Sequence, residues 1–176
     1  CCDLAPLFRY FHVVHLKYHF TRWIFNNRGS VIVFEHIVRT YAVFGKLAAK
    51  TEGFLRLFFI CHSFQLACRY YKIANVCSRK STAFGVFPVH MLEDGKDEIV
   101  FEGLHDPFYG VDSRDFQVIE PHHNRLKQLG ASILAIEKER PHVIYERAIM
   151  AVRFNEWFIG TQFHPEADAT GMSMYL

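Results

Sequence analysis

Three residues of this 176-residue chain have side chains suited to work together on a carbonyl carbon: Cys61, His164 and Glu166. A thiol, with a pKa of about 8.5, must lose its proton before it attacks. A histidine within hydrogen-bond reach can take that proton, and a carboxylate can fix the imidazole tautomer and stabilise the cation that forms. Cys61 stands between the apolar run LFFI and the helix-patterned HSFQLACRYY. In isolation that position also suits a buried core thiol, because free cysteine is among the most buried residue types. His164 and Glu166 close the stretch GTQFHPEAD. Pro165 between them fixes one backbone dihedral and disfavours helix at His164, so the histidine is expected on a loop.

The elements that must position these groups follow from the hydrophobic pattern. Residues 54–60 (FLRLFFI) read as a strand buried on both faces. Residues 62–72 place Phe64, Leu66, Ala67, Tyr70 and Tyr71 at helical intervals. A sharp strand-to-helix turn at Cys61 would hold the thiol at the top of a sheet and aim a helix N-terminus at it, which favours the thiolate. The backbone N–H of His62 would then point at a developing oxyanion. Further strands are expected at 84–92, interrupted by Pro88, at 131–137, at about 147–154 and at 157–163, with a final helix from Ala167 to Leu176. Turns are expected at Glu93–Lys96, Gly103–Pro107 and Asn26–Ser30. Interleaved helical and strand signals predict an α/β fold with an open, mostly parallel sheet flanked by helices. Sites in such sheets gather at the carboxyl ends of the strands, where Cys61 and His164 both fall.

Composition bounds the remaining possibilities. A chain that is 51% hydrophobic and 16% aromatic can bury one sizeable core. A net charge of +2 creates no field to recruit nucleic acid or an acidic membrane, and the short basic patches Arg79–Lys80 and Arg125–Lys127 lack interleaved aromatics. No apolar run reaches the roughly 18 residues that span a bilayer. Five cysteines at irregular spacing, without a Cys-x-x-Cys pair, argue against both a disulfide framework and a structural zinc site. Reduced thiols in the cytoplasm are the simpler expectation. Cys68 and Cys77 read as core or near-surface thiols. The adjacent pair His122–His123 would point to opposite faces of a strand, so it is read as a solvated loop and not a metal site.

The stretches FICHSFQ and GTQFHPEA together resemble the class I glutamine amidotransferase domain, a Cys-His-Glu family of which the glutaminase of GMP synthase is an example. Its nucleophile motif is Gly-[Ile/Val]-Cys-x-Gly-x-Gln and its second motif ends in His-Pro-Glu. Cys61 and Gln65 match the first; His164, Pro165 and Glu166 match the second. The resemblance covers roughly residues 55–176. The expectation is one domain over 1–176, in which residues 1–54 match poorly and are open to being incomplete, since the chain begins with cysteine. The resemblance implies a flavodoxin-like sheet and hydrolysis of the glutamine side-chain amide through a Cys61 thioester, releasing ammonia. It implies Gln65, Ser113 and Arg114 as substrate-binding residues, a synthase subunit or domain as ammonia acceptor, and no metal or organic cofactor.

Four departures stand out. Phe59 and Ser63 occupy the two glycine positions that flank the nucleophile, Arg114 falls in the segment where relatives carry Ser-His, and no Gly-Gly-Pro-Gly loop precedes Cys61. A tight elbow favours small residues because strand and helix backbones approach closely there. Two other readings therefore stand beside glutamine hydrolysis: a γ-glutamyl hydrolase or homoserine acyltransferase using the same triad, and a catalytically silent module of the same fold. Oligomeric state, including a homo-oligomer, is left open.

Overall fold

The computed structural model describes residues 11–14, 56–140 and 146–167. The strands are β1 (Phe11–Val14), β2 (Arg56–Ile60), β3 (Asn75–Met91), β4 (Phe108–Ile119), β5 (Ser132–Glu137), β6 (Ile149–Arg153) and β7 (Phe158–Thr161). Helix α1 (His62–Tyr71) follows β2, α2 (Glu93–Lys96) follows β3, and α3 (His123–Leu129) follows β4. The seven strands form one sheet in the order β1-β2-β7-β6-β5-β3-β4. The expected helix from Ala167 and the loop at 26–30 lie outside the described residues.

The α/β class is as expected. Among the described residues the sheet is mixed and not mostly parallel: β1–β2 and β2–β7 pair in parallel, whereas β7–β6, β6–β5, β5–β3 and β3–β4 are antiparallel. The reason lies in the connections. A parallel pair needs a crossover of a dozen or more residues, and β6 and β7 are joined by Phe154–Trp157 alone, enough only for a hairpin. That hairpin is held by the Asn155 side chain, whose Oδ1 accepts from the backbone N–H groups of Trp157 and Phe158.

Strand β2 is apolar at every described position after Arg56 because it is covered on both sides. Leu57 and Phe59 join Phe64, Leu66, Ile73, Phe154 and Phe158 in the core beneath α1. Phe58 and Ile60 turn the other way, to Val89, Phe101, Leu134, Met150, Ile159 and Phe163. Period-2 alternation thus feeds two cores from one short strand. The helix after it ends at Lys72 in the left-handed conformation, its N–H returned to the carbonyls of Arg69 and Cys68. Strand β3 begins well before the expected 84–92. Its first half is largely solvent-exposed and pairs with β4 as a long hairpin, so it shows no apolar alternation to read.

Candidate active site

The end of β2 and the start of α1 make the sharp turn that the pattern demanded. Cys61 lies between them at φ 52°, ψ −102°, a positive φ that a residue with a Cβ rarely adopts. Its N–H donates to the Thr161 carbonyl on β7 at 2.8 Å, and its carbonyl accepts the Gln65 N–H at 3.1 Å. The two departures at the glycine positions are both accommodated. Ser63 is fully buried; its hydroxyl accepts the Ile60 N–H at 2.8 Å and donates to the Ile60 carbonyl at 2.9 Å. A glycine could not make that clasp. Phe59 stands opposite Gly160 in the β2–β7 register. A Cβ on Gly160 would lie 3.0 Å from the Phe59 Cβ and 3.0 Å from the Phe64 ring. The missing side chain on β7 makes the room that Phe59 uses, and edge-to-face contacts with Phe154 and Phe158 fill the rest.

His164 arrives from the far end of β7. Its N–H donates to the Val111 carbonyl at 2.8 Å, which ties the loop to β4. Its Nδ1 lies 2.7 Å from Glu166 Oε1, and Cys61 is among the groups close enough to act on its ring. Burial acts to lower the imidazole pKa. The interactions with Cys61 and Glu166, with the negative charge each can carry, outweigh burial and push it up to about 10. Cys61, His164 and Glu166 are therefore brought together in one group.

The Cys61 thiol donates to the Ser113 carbonyl on β4 at 3.5 Å and receives the Gln162 Nε2–H at 3.6 Å. Gln162 is fully buried at the end of β7 and is not among the residues that the sequence singles out. The available signal was a polar residue inside the apolar stretch WFIGTQFH, two positions before the histidine. Gln65 is also buried; its Nε2 donates to Gln162 Oε1 at 2.9 Å and to the Phe116 carbonyl at 3.5 Å. His62 occupies the first position of α1. Burial lowers its imidazole pKa to about 4, against the opposing effect of Gln65, so the ring is neutral at physiological pH.

The two expected substrate residues on β4 part company. Ser113 meets the thiol through its backbone carbonyl. Arg114 lies in a buried ion cluster: its Nε donates to Asp112 at 2.9 Å and its Nη2 to Glu137 at 3.0 Å. Arg79 and Arg140 also reach Glu137, at 3.3 and 2.8 Å. Neighbouring residues of a strand face opposite sides, which separates the Arg114 guanidinium from a partner of Ser113. Asp115 bonds instead to the Thr82 hydroxyl. Among the described residues no three His, Cys, Asp or Glu side chains are grouped to hold a metal ion. Cys61, Cys68 and Cys77 are free thiols. No helix among the described residues is long and apolar enough to cross a membrane.

No protein-family profile and no curated protein matches the chain. Solved structures do. A glutamine amidotransferase from Thermotoga maritima superposes with a TM-score of 0.58 at 15% identity, covering 94% of this chain and 60% of that one. The fold is that of class I glutamine amidotransferases. The glutaminase domain of Trypanosoma brucei CTPS, with bound acivicin, gives 0.56 at 17% identity over 92% and 64% of the two chains. A Thermoplasma acidophilum protein, described as one of the subunits of a GMP synthase, gives 0.50 at 16% identity over 81% and 63%. The chain thus spans less than two thirds of each of these structures.

Proposed function

We propose that the chain is a glutamine amidotransferase-type thiol hydrolase. With its proton held on His164, Cys61 attacks the side-chain amide carbon of glutamine as the thiolate. The resulting oxyanion is held by the His62 N–H at the start of α1. His164 returns the proton to the leaving nitrogen, which departs as ammonia and leaves a Cys61 thioester. His164 then takes a proton from water, the hydroxide attacks the thioester, and glutamate leaves as the thiol is restored. Glu166, 2.7 Å from Nδ1, keeps the other ring nitrogen directed at the sulfur. A synthase domain or subunit is the proposed ammonia acceptor, and the reaction is proposed to need no cofactor. Free thiols at Cys61, Cys68 and Cys77 support a cytoplasmic site of action.

The observation that carries this reading is the strained elbow residue Cys61 joined to His164, with Glu166 behind it. Ser113 and Gln65 line the thiol and are proposed to border the substrate amide. Arg114 serves as a carboxylate anchor only by giving up Asp112 or Glu137. That engagement favours a second reading, in which the substrate is a γ-glutamyl compound and not free glutamine. The test is ammonia release from glutamine, run beside a panel of γ-glutamyl substrates. Labelling by a glutamine-like diazo-ketone is followed by intact mass, with Cys61→Ser as the control. Turnover of glutamine with labelling confined to Cys61 is the expected result. Absence of both turnover and labelling overturns the reading.

A further inference from the structure

His164 and Glu166 address the Cys61 sulfur from one side, while a second line of polar side chains, all buried, reaches it from another. Gln162 Nε2 lies 3.6 Å from Sγ, and Gln162 Oε1 takes a hydrogen from Gln65 Nε2 at 2.9 Å. Gln65 and Gln162 are 2% and 0% exposed, so water does not compete for these groups.

A carboxamide can be turned over, exchanging its donor and acceptor ends, and here one backbone group decides which way each faces. The Phe116 carbonyl can only accept, so the Gln65 nitrogen must lie beside it. That nitrogen also faces Gln162, whose oxygen must therefore be the end turned to Gln65. The Gln162 nitrogen is left facing the sulfur. Both amide donors in the line are thereby aimed along it, from Gln65 through Gln162 to Sγ.

We propose that Gln65 and Gln162 form a donor relay that stabilises the thiolate of Cys61, with Gln162 touching the sulfur and Gln65 positioning it. The proposal rests on Cys61 being the nucleophile. A hydrogen bond donated to sulfur strengthens when the sulfur becomes an anion, and aligned neighbours in a dry site polarise one another. The relay also gives a chemical reason for a buried glutamine immediately after β7. Among the described residues the titratable group acting with the sulfur is His164, backed by Glu166, from the segment after β7, and strand β4 presents the Ser113 carbonyl.

The test is the pH profile of Cys61 alkylation by iodoacetamide, read by intact mass and peptide mapping. Cys61→Ser gives the background from the other thiols. Gln162→Met keeps the length of the side chain and deletes the donor; its midpoint is expected to rise by about one pH unit, a roughly tenfold loss of rate below the midpoint. Gln65→Leu is expected to shift the midpoint the same way by less, and the double variant to add nothing to Gln162→Met, because both act through one atom. A purely packing role would lower the melting temperature and leave the midpoint in place. Midpoints of Gln162→Met and Gln65→Leu equal to wild type, or shifts that simply add, overturn the relay. Gln65→Leu decides the matter alone if Gln162→Met does not fold. Iodoacetamide requires no glutamine site, so a wild type with relay-dependent alkylation but no glutamine turnover sinks only the functional reading. An active wild type indifferent to both substitutions sinks only the relay.

Discussion

Strand β4 separates two buried polar regions that are built on opposite plans. On one side the Ser113 carbonyl meets the Cys61 thiol, in a group made of neutral amides, a thiol, an imidazole and one carboxylate. On the other, Arg114 is clamped between Asp112 and Glu137, and Arg79 and Arg140 share Glu137. The ion cluster cancels full charges by crowding them, with three arginines gathered on Glu137. The thiol group has two short lines of contacts, one through Gln162 and one through His164, each with a direction that matters. The difference teaches which kind of burial suits which task. Saturated charge pairs hold β3, β4 and β5 together, while a sparse, directional arrangement leaves a proton free to move.

If that contrast is right, substitutions on the two sides of β4 fail in different ways. Cys61→Ser is expected to reduce glutamine turnover by about 10⁴-fold or more, with the urea midpoint of unfolding nearly unchanged; ammonia release and chemical denaturation measure the two. Arg114→Met does the reverse. Deleting the cation leaves Asp112 and Glu137 buried beside each other, at a cost of about 3–5 kcal/mol in unfolding free energy, while the Cys61 alkylation rate of the folded fraction holds. An Arg114→Met protein that unfolds normally but loses turnover would erase the contrast and restore Arg114 to the substrate site.

Smaller effects sharpen the elbow itself. Gly160→Ala forces a methyl against Phe59 and Phe64 and is expected to cost about 1–3 kcal/mol in urea denaturation. Adding Phe64→Leu should recover some of that loss, as non-additivity in a double-mutant cycle, because the added methyl and the Phe64 ring compete for one space. A pH slope is expected as well. His164 is held protonated up to about 10 in the folded protein against 6.5 for the free side chain. The folded state therefore binds the proton more tightly, and the stability it gains is complete below about pH 6.5 and is lost as pH rises through 10. Titration of the His164 ring by NMR should show its midpoint fall in both Glu166→Gln and Cys61→Ser. A midpoint near 6.5 in the unsubstituted protein would remove the ionic character assigned to the thiol side.

Some of this was open to reading in the residues alone. LFFICHSFQ announces a doubly buried strand, an abrupt stop and a helix, because period 2 gives way to period 3.6 at one residue. GTQFHPEA announces a strand end followed by a loop that carries a base and its carboxylate. The pairing of Arg114 with Asp112, two positions away on one strand, was open to reading, but Glu137 was not, since it comes from a different strand and pairing across a sheet depends on register. The antiparallel majority was hidden for the same reason: strand patterns show which face is buried, not which neighbour lies alongside. The exposed first half of β3 carries no alternation to detect. Phe59 looked incompatible with a tight elbow until its cross-strand neighbour proved to be Gly160, and the mate of a bulky residue is invisible until two distant segments are placed side by side.

The φ of 52° at Cys61 has a consequence for the history of such a chain. Holding a side chain in that region costs on the order of 1–3 kcal/mol, and glycine escapes most of that cost. At this position, then, a drift from cysteine to glycine would relieve backbone strain while removing the thiol on which the proposed function depends. Backbone energetics favours loss of the thiol, so on that proposal its retention has to be defended by selection on what the thiol does.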